Sequence, residues 1–307
     1  MVKDILSMLD LKDNLSQIIA DSIKMKTEIG GKKGGKKPSL SNKNVVLLFE
    51  KPSLRTKASF TIAAQQLGGT ATYMGPDEVQ IGKRESPSDV GKVLSRYFDI
   101  IVYRAFSHQT MIELAEAASI PVINALDDLE HPCQCVGDLM TIQEKKGSLK
   151  GLKLAYVGDG NNVCSSLLLG CAIVGMNMSV ATPSNHKPKQ EVVSIAEKIA
   201  SGIGAKIDIS TNPFKAVEAA DVVYTDVWVS MGQESERETK EKTFLPYQIT
   251  EKVMSKAKED SIFMHCLPAH RGFEVVPEVI DGKRSVIFDQ AENRLHAQKG
   301  ILLASIS

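Results

Sequence analysis

Short apolar runs rich in β-branched residues recur along the chain, separated by longer segments whose apolar positions return every three or four residues. In the first half the strand-like runs are NVVLLF (44–49), TATYM (70–74), DIIVYR (99–104) and PVINAL (121–126). In the second half they are KLAYV (153–157), MSVAT (178–182), DVVYTD (221–226), SIFMHC (261–266) and SVIFD (285–289). Stretches such as MIELAEAAS and EVVSIAEKIASGIG carry the helical spacing between them. Strand and helix alternating in this way predict parallel sheets covered on both faces. A chain of 307 residues exceeds what one core usually spans, so two domains are expected. The polar link EKKGSLKG (144–151) places the boundary. The expectation is therefore α/β, with two doubly wound parallel-sheet domains, residues 1–146 and 147–289. The tail NRLHAQKGILLASIS is helical in pattern, and residues from about 290 to 307 are expected to pack back on the first domain.

Composition removes several function classes. Lys plus Arg and Asp plus Glu balance at 37 each, which gives no electrostatic support to nucleic-acid or membrane-surface binding. The start, MVKDILSMLDLKDN, alternates charge with apolar residues and lacks a signal-peptide core. No run approaches the roughly 18 apolar residues of a membrane span. An odd number of cysteines, five, scattered among apolar neighbours, fits reduced thiols in a cytoplasmic protein. Cys133 and Cys135 form only a CxC, with no second pair to complete a zinc site, so no metal is expected. The basic, glycine-rich GGKKGGKKPS (30–39) reads as a solvated loop. ESERETKEK (234–242) reads as another, or as a mobile lid because it follows VSMG directly.

Chemistry collects where the strands end. In open parallel sheets ligands bind beyond the carboxyl ends of the strands. There the sequence places EKPSLRT after NVVLLF, Arg104 and His108 after DIIVY, and DDLEHPCQ after PVINAL. It likewise places GDGNN after KLAYV, VWVSMG after DVVYTD and HCLPAH after SIFM. Both halves contribute, which predicts an active site in a cleft between the two domains. In PSLRT, a helix starting near Ser53 would offer free backbone amides and the positive end of its dipole. Ser53 and Thr56 add hydroxyls, and Arg55 adds a planar fork suited to phosphate. The plainer alternative is that Ser53 only caps the helix and Arg55 is solvated. The stretch lacks GxxxxGK[ST], so a small phosphate compound fits better than a nucleotide.

GDGNNV (158–163) has GxG after a strand, but Val163 stands where a dinucleotide fingerprint needs its third glycine. Asn161 and Asn162 either cap the following helix or hydrogen-bond a polar ligand. His131 precedes Pro132, which holds it extended at a helix entry. It shares its strand-end setting with Arg104 and Gln134. Cys266 lacks a favourably placed base, since His265 would point to the opposite face of an extended strand.

FEKPSLRT, HPCQ, DVWVSMG and HCLPAH, in this order and at these separations, resemble the ornithine carbamoyltransferases of the aspartate/ornithine carbamoyltransferase superfamily. The likeness runs from about residue 40 onward, and DVWVSMG with HCLP separates the ornithine enzymes from the aspartate ones. It implies a carbamoyl phosphate domain followed by an L-ornithine domain, without cofactor, assembled as a homotrimer or a multiple of trimers. By this resemblance Ser53, Leu54, Arg55, Thr56 and Arg104 hold the phosphate, while His131 and Gln134 contact the carbamoyl group. Gln80 reaches carbamoyl phosphate across a subunit boundary. Asn162, Asp226, Ser230 and Met231 hold ornithine, and Cys266, Leu267 and Arg294 complete the site. Arg55, Arg104, His131, Asp226 and Cys266 form its catalytic set. Leu54 departs from the family's usual second threonine, leaving only a backbone amide there. The rival readings are the same chemistry on another acceptor, such as putrescine or an acylated ornithine, a nicotinamide-dependent dehydrogenase, and a non-catalytic amino-acid sensor.

Overall fold

The computed structural model describes residues 4–29, 40–229 and 234–306. The run GGKKGGKKPS and the residues Ser230 and Met231 thus lie outside the described residues. By contacts the chain divides into two units, one of Met1–Met140 with Glu292–Ser307, the other of Thr141–Ala291.

The first unit holds a four-stranded sheet in the order β2-β1-β3-β4. Its strands are β1 (Asn44–Phe49), β2 (Thr70–Met74), β3 (Ile100–Arg104) and β4 (Val122–Leu126), all parallel. β1 and β3 are buried almost end to end, as expected of strands covered on both faces. One core packs Val46, Leu48, Ile101 and Tyr103 of the sheet against Val90, Leu94, Met111 and Leu114. The latter belong to helices Pro87–Tyr97 and His108–Ala117, which begin at Ser86 and Ser107 as N-caps. The last residues also belong to this unit: Lys299 Nζ donates to Gln66, and Gly300 packs on Ser22 and Ile18.

The second unit holds a five-stranded sheet in the order β7-β6-β5-β8-β9, again all parallel. Its strands are β5 (Lys153–Val157), β6 (Asn177–Ala181), β7 (Ile207–Ser210), β8 (Val222–Thr225) and β9 (Ile262–His265). In each sheet the strand order reverses once, between β1 and β3 and between β5 and β8. These are the two places where diverging connections leave room for a ligand.

Three local expectations are corrected. SVIFD is no strand, because helix Ile287–Ser305 starts inside it, and only a single bridge links Ser285 to Phe263. Its apolar triplet is the entry to a helix, with Ile287 buried and Phe288 72% exposed. The strand IDIS, β7, was hidden by its shortness and by Asp208, which an edge strand paired only with β6 tolerates. ESERETKEK is not a loop but a turn of 3-10 helix, Glu234–Glu236, leading into helix Arg237–Phe244. Lys240 and Phe244 supply its buried side, one turn apart. Among the described residues no helix is long and apolar enough to cross a membrane.

Gly91 allows helices Pro87–Tyr97 and His108–Ala117 to touch, since a Cβ there would fall 2.6 Å from the Leu114 carbonyl oxygen. Gly91→Ala is expected to destabilise the protein by about 1–3 kcal/mol through overpacking. A thermal melt of the variant at wild-type temperature would contradict this packing.

Candidate active site

At the β1/β3 reversal the chain gathers cations. After Phe49 it runs Glu50-Lys51-Pro52-Ser53 and enters helix Leu54–Gln66, with Ser53 as N-cap. The Thr56 amide donates to Ser53 Oγ at 3.3 Å, and Ser53 Oγ donates to Thr56 Oγ1 at 3.1 Å. The amides of Leu54 and Arg55 lie in the first turn, where a helix supplies no acceptor. The Leu54 side chain is 81% exposed, so what this position offers inward is its backbone.

Arg104 ends β3 and is buried, and its Nε has no hydrogen-bond partner among the described residues. Burial, with Arg294 and Arg55 nearby, pushes its pKa down to about 10. Lys51 is also buried, its Nζ 5.1 Å from the centre of the Phe106 ring. Burial and the neighbouring Arg104 push Lys51 down to about 8, against the upward pull of Asp127, Asp128 and Glu50. Glu50 accepts from Tyr103 Oη at 2.7 Å and from the Phe106 amide at 2.5 Å, which fixes the loop beyond Arg104.

β4 leads to His131. On the way Asp127, fully buried, accepts from Asn124, His108 and the amides of Leu129 and Glu130. Its hydrogen bond to His108 raises the pKa of that imidazole. His131 precedes helix Pro132–Lys146, and its carbonyl accepts the amides of Gln134 and Cys135 at 3.0 and 3.2 Å. Burial first, then Arg294, Arg104, Lys51 and Arg55, hold His131 well below the usual histidine pKa. It is a neutral imidazole at neutral pH.

Arg294, from helix Ile287–Ser305, ties this group together. Its Nη1 donates to Gln134 Oε1 at 2.6 Å and its Nη2 to Thr56 Oγ1 at 3.3 Å. Gln134 Nε2 in turn donates to Asp138 Oδ1 at 2.8 Å. Thr56, Arg55, Arg104, His131, Gln134 and Arg294 thus belong to one cluster. Its chemistry is that of an anion site: several buried cations repel one another until an anion neutralises them. Gln80 stands apart, exposed, at φ 44°, with Nε2 donating to the Asp77 carbonyl.

The second unit builds a different site at its β5/β8 reversal. GDGNN follows β5, and Asn161 caps helix Asn162–Val174, accepting from the amides of Val163 and Cys164 at 3.0 and 3.2 Å. Asn161 Nδ2 donates to Asp226 Oδ2 at 2.8 Å, and Cys266 Sγ donates to Asp226 Oδ1 at 2.9 Å. Asn161 is thus the cap, the first of its two expected roles, and its amide nitrogen also binds Asp226. Asn162 is the first residue of the helix. The Asp226 carboxylate, 6% exposed, is a recessed negative charge with oriented neighbours. Leu267 follows Cys266 at φ 59°, a strained conformation for leucine, and its amide donates to His265 Nδ1 at 2.9 Å.

The ligand atoms of Asp226, His265 and Cys266 lie within 4.8 Å of one another, a spacing a metal ion could bridge. Both His265 nitrogens are nevertheless engaged, Nδ1 by the Leu267 amide and Nε2 by Glu274 at 3.2 Å. Residue patterns missed Lys51 as part of the cation cluster although it stands inside FEKPSLRT, because a lysine beside proline reads as solvated. They also missed Asp138, whose partner Gln134 lies one helical turn before it.

Two family models match the chain. The carbamoyl-P binding domain of aspartate/ornithine carbamoyltransferase covers residues 3–144, and the Asp/Orn binding domain covers residues 150–305. The chain is 53% identical over 305 residues to the catabolic ornithine carbamoyltransferase of Thermoplasma volcanium, covering 99% of each. It is 52% identical over 308 residues to the ornithine carbamoyltransferase of Picrophilus torridus, covering 100% of each. Among solved structures, ornithine carbamoyltransferase from Pyrococcus furiosus superposes with a TM-score of 0.92 at 45% identity, over 98% of this chain and 96% of that one. The anabolic enzyme from Campylobacter jejuni gives 0.93 at 38% identity, over 99% of each.

Sulfate keeps its charge near neutrality, so its affinity reads the protein's own cations. That affinity is expected to fall as pH rises through about 8, where Lys51 loses its proton, and Lys51→Met is expected to abolish the fall. A wild-type affinity flat from about pH 7 to 9 would contradict a titrating Lys51 in the cluster.

Proposed function

The chain belongs to the aspartate/ornithine carbamoyltransferase family, and from that premise we propose how its two sites carry out the reaction. The enzyme transfers the carbamoyl group of carbamoyl phosphate to the δ-amine of L-ornithine, giving L-citrulline and phosphate. The observation that carries ornithine as acceptor is Asp226. A recessed carboxylate held by Asn161 and Cys266 attracts a cationic amine and repels the side-chain carboxylate of aspartate.

Carbamoyl phosphate binds the cation cluster of the first unit. Ser53, the amide of Leu54, Arg55, Thr56 and Arg104 hold its phosphate, and His131, Gln134 and Arg294 face its carbamoyl group. Neutral His131 serves as a hydrogen-bond donor to the carbonyl oxygen rather than as a proton carrier. Ornithine binds the second unit through Asn162, Asp226, Ser230 and Met231, the last two resting on the resemblance alone. Cys266 and Leu267 line the same site. The thiol hydrogen-bonded to Asp226 orients the carboxylate and forms no covalent intermediate.

The neutral δ-nitrogen attacks the carbamoyl carbon. A C–N bond forms, the resulting tetrahedral oxyanion collapses, the C–O bond to phosphate breaks, and the amine gives up a proton. Because the acyl phosphate is already activated, positioning and electrostatics supply the acceleration. The four cations that repel one another in the free protein stabilise the charge gathering on the departing phosphate.

The reading extends to a homotrimer, or a multiple of trimers, in which Gln80 serves a neighbouring subunit's carbamoyl phosphate. Its exposed side chain suits such a role. Five free thiols suit a reducing, cytoplasmic setting.

A colorimetric citrulline assay with ornithine, putrescine and aspartate offered separately tests the acceptor. Turnover is expected with ornithine alone, and turnover with putrescine or aspartate in its place would overturn the assignment. Arg55→Gly is expected to keep the fold and to lower kcat by at least about 10²–10³-fold, the usual cost of one such donor. Near-normal turnover in that variant would contradict its role. With both substrates saturating, the rate is expected to climb from neutrality to about pH 9 as the δ-amine deprotonates. A flat profile would count against attack by the free amine.

A further inference from the structure

Among the described side chains of the charged run 234–242, one charged side chain is turned fully inward. Lys240 is 4% exposed, which lysine rarely tolerates without a partner. Its Nζ lies 2.7 Å from Asp159 Oδ2. Asp159 is the acidic residue of GDGNN, and its side chain is 12% exposed. His186 Nδ1 lies 3.7 Å from Asp159 Oδ1, and the His186 ring packs 4.8 Å from Phe244, one turn beyond Lys240.

The loop is fixed from its other side too. Tyr156 Oη donates to the Asp159 carbonyl at 2.9 Å and to Asn161 Oδ1 at 3.3 Å. The Gly160 amide donates to the His186 carbonyl at 2.9 Å, and Gly160 packs so closely on His186–Pro188 that no Cβ fits. Asn161, two residues after Asp159, holds Asp226. A set of contacts therefore runs from Lys240 through Asp159, Tyr156 and Asn161 to Asp226 and Cys266.

We propose that Lys240 is a positioning residue for the amine-binding site: its buried ion pair with Asp159 fixes the loop from which Asn161 orients Asp226. The inference rests on the assignment of Asp226 to ornithine. Lys240 touches no reacting atom. Without its charge, Asp159 is a recessed carboxylate with no full countercharge, and the loop regains hydration by moving outward. Asp226 then loses the donor that fixes Oδ2. Carbamoyl phosphate is held by other residues and does not depend on this pair.

Steady-state kinetics of Lys240→Met, Lys240→Arg and the double variant Asp159→Asn/Lys240→Met test the proposal, with thermal melts alongside. Lys240→Met is expected to raise the ornithine KM about tenfold or more while the carbamoyl phosphate KM stays within about twofold, the split that loss of one substrate's positioning produces. Lys240→Arg keeps the charge and is expected to return the ornithine KM to within about threefold of wild type. The double variant removes the lone carboxylate, so its melting temperature is expected to recover toward wild type while its ornithine KM stays high. An ornithine KM that is unchanged in Lys240→Met, or that recovers with stability in the double variant, overturns the inference. Wild-type protein without citrulline-forming activity would instead sink the assignment of the reaction, and this inference with it.

Discussion

Burying several cations together costs free energy that an arriving anion can offset. Lys51, Arg104 and Arg294 are buried and Arg55 half-buried around His131, whose pKa burial and these charges lower, as burial with Arg294 and Arg55 lowers that of Arg104 and burial with Arg104 that of Lys51. Three carboxylates near the cluster have other donors as well, while Glu50, Asp127 and Asp128 still pull the pKa of Lys51 upward. Asp127 is taken by Asn124, His108 and loop amides, Glu50 by Tyr103 and Phe106, and Asp138 by Gln134. The repulsion that remains among the cations is relieved when an anion arrives. Such a site is preorganised for charge that develops in a reaction, because nothing has to turn toward it at the moment of transfer.

The second unit meets the opposite requirement with the same architecture. Its reversal of strand order lies at β5 and β8, and the residues beyond those strands recess a carboxylate instead of cations. The sequence difference that matters is small: PSLRT at a helix entry in one unit, GDGNN at a helix entry in the other. In the first, side chains at the helix start leave backbone amides available to an anion. In the second, Asn161 closes that helix start with its own oxygen and spends its nitrogen on Asp226. The caps differ accordingly: Ser53 takes the Thr56 amide alone, whereas Asn161 takes two amides and gives its nitrogen to Asp226.

Much of this was legible in the residues. The buried parallel strands announce themselves through uninterrupted β-branched runs, and eight of the nine runs named from the sequence are strands β1–β6, β8 and β9. The ninth, SVIFD, misled because three apolar residues in a row satisfy helix entry and strand alike. IDIS escaped because an edge strand need not be apolar. The polar clusters beyond the strand ends could be read because topology places the loops there. What could not be read were contacts between residues far apart in sequence. Arg294 reaches Gln134 and Thr56, and Lys240 reaches Asp159, through packing that no local pattern encodes. The same limit made ESERETKEK look like a solvated loop, although its helix has a buried side.

The proposed carbamoyl phosphate site is the set of repelling cations at the β1/β3 reversal. Arg104 tests it most directly, being buried, carrying a nitrogen with no partner among the described residues, and holding a pKa lowered by burial and then by Arg294 and Arg55. Calorimetric titration of carbamoyl phosphate, without ornithine, into wild-type protein and Arg104→Met separates binding from turnover. Binding to the wild type is expected, with an affinity at least about tenfold weaker in the variant, the loss that removal of one charge-assisted contact causes. Equal affinity in the two proteins, with the fold of the variant intact, would contradict it.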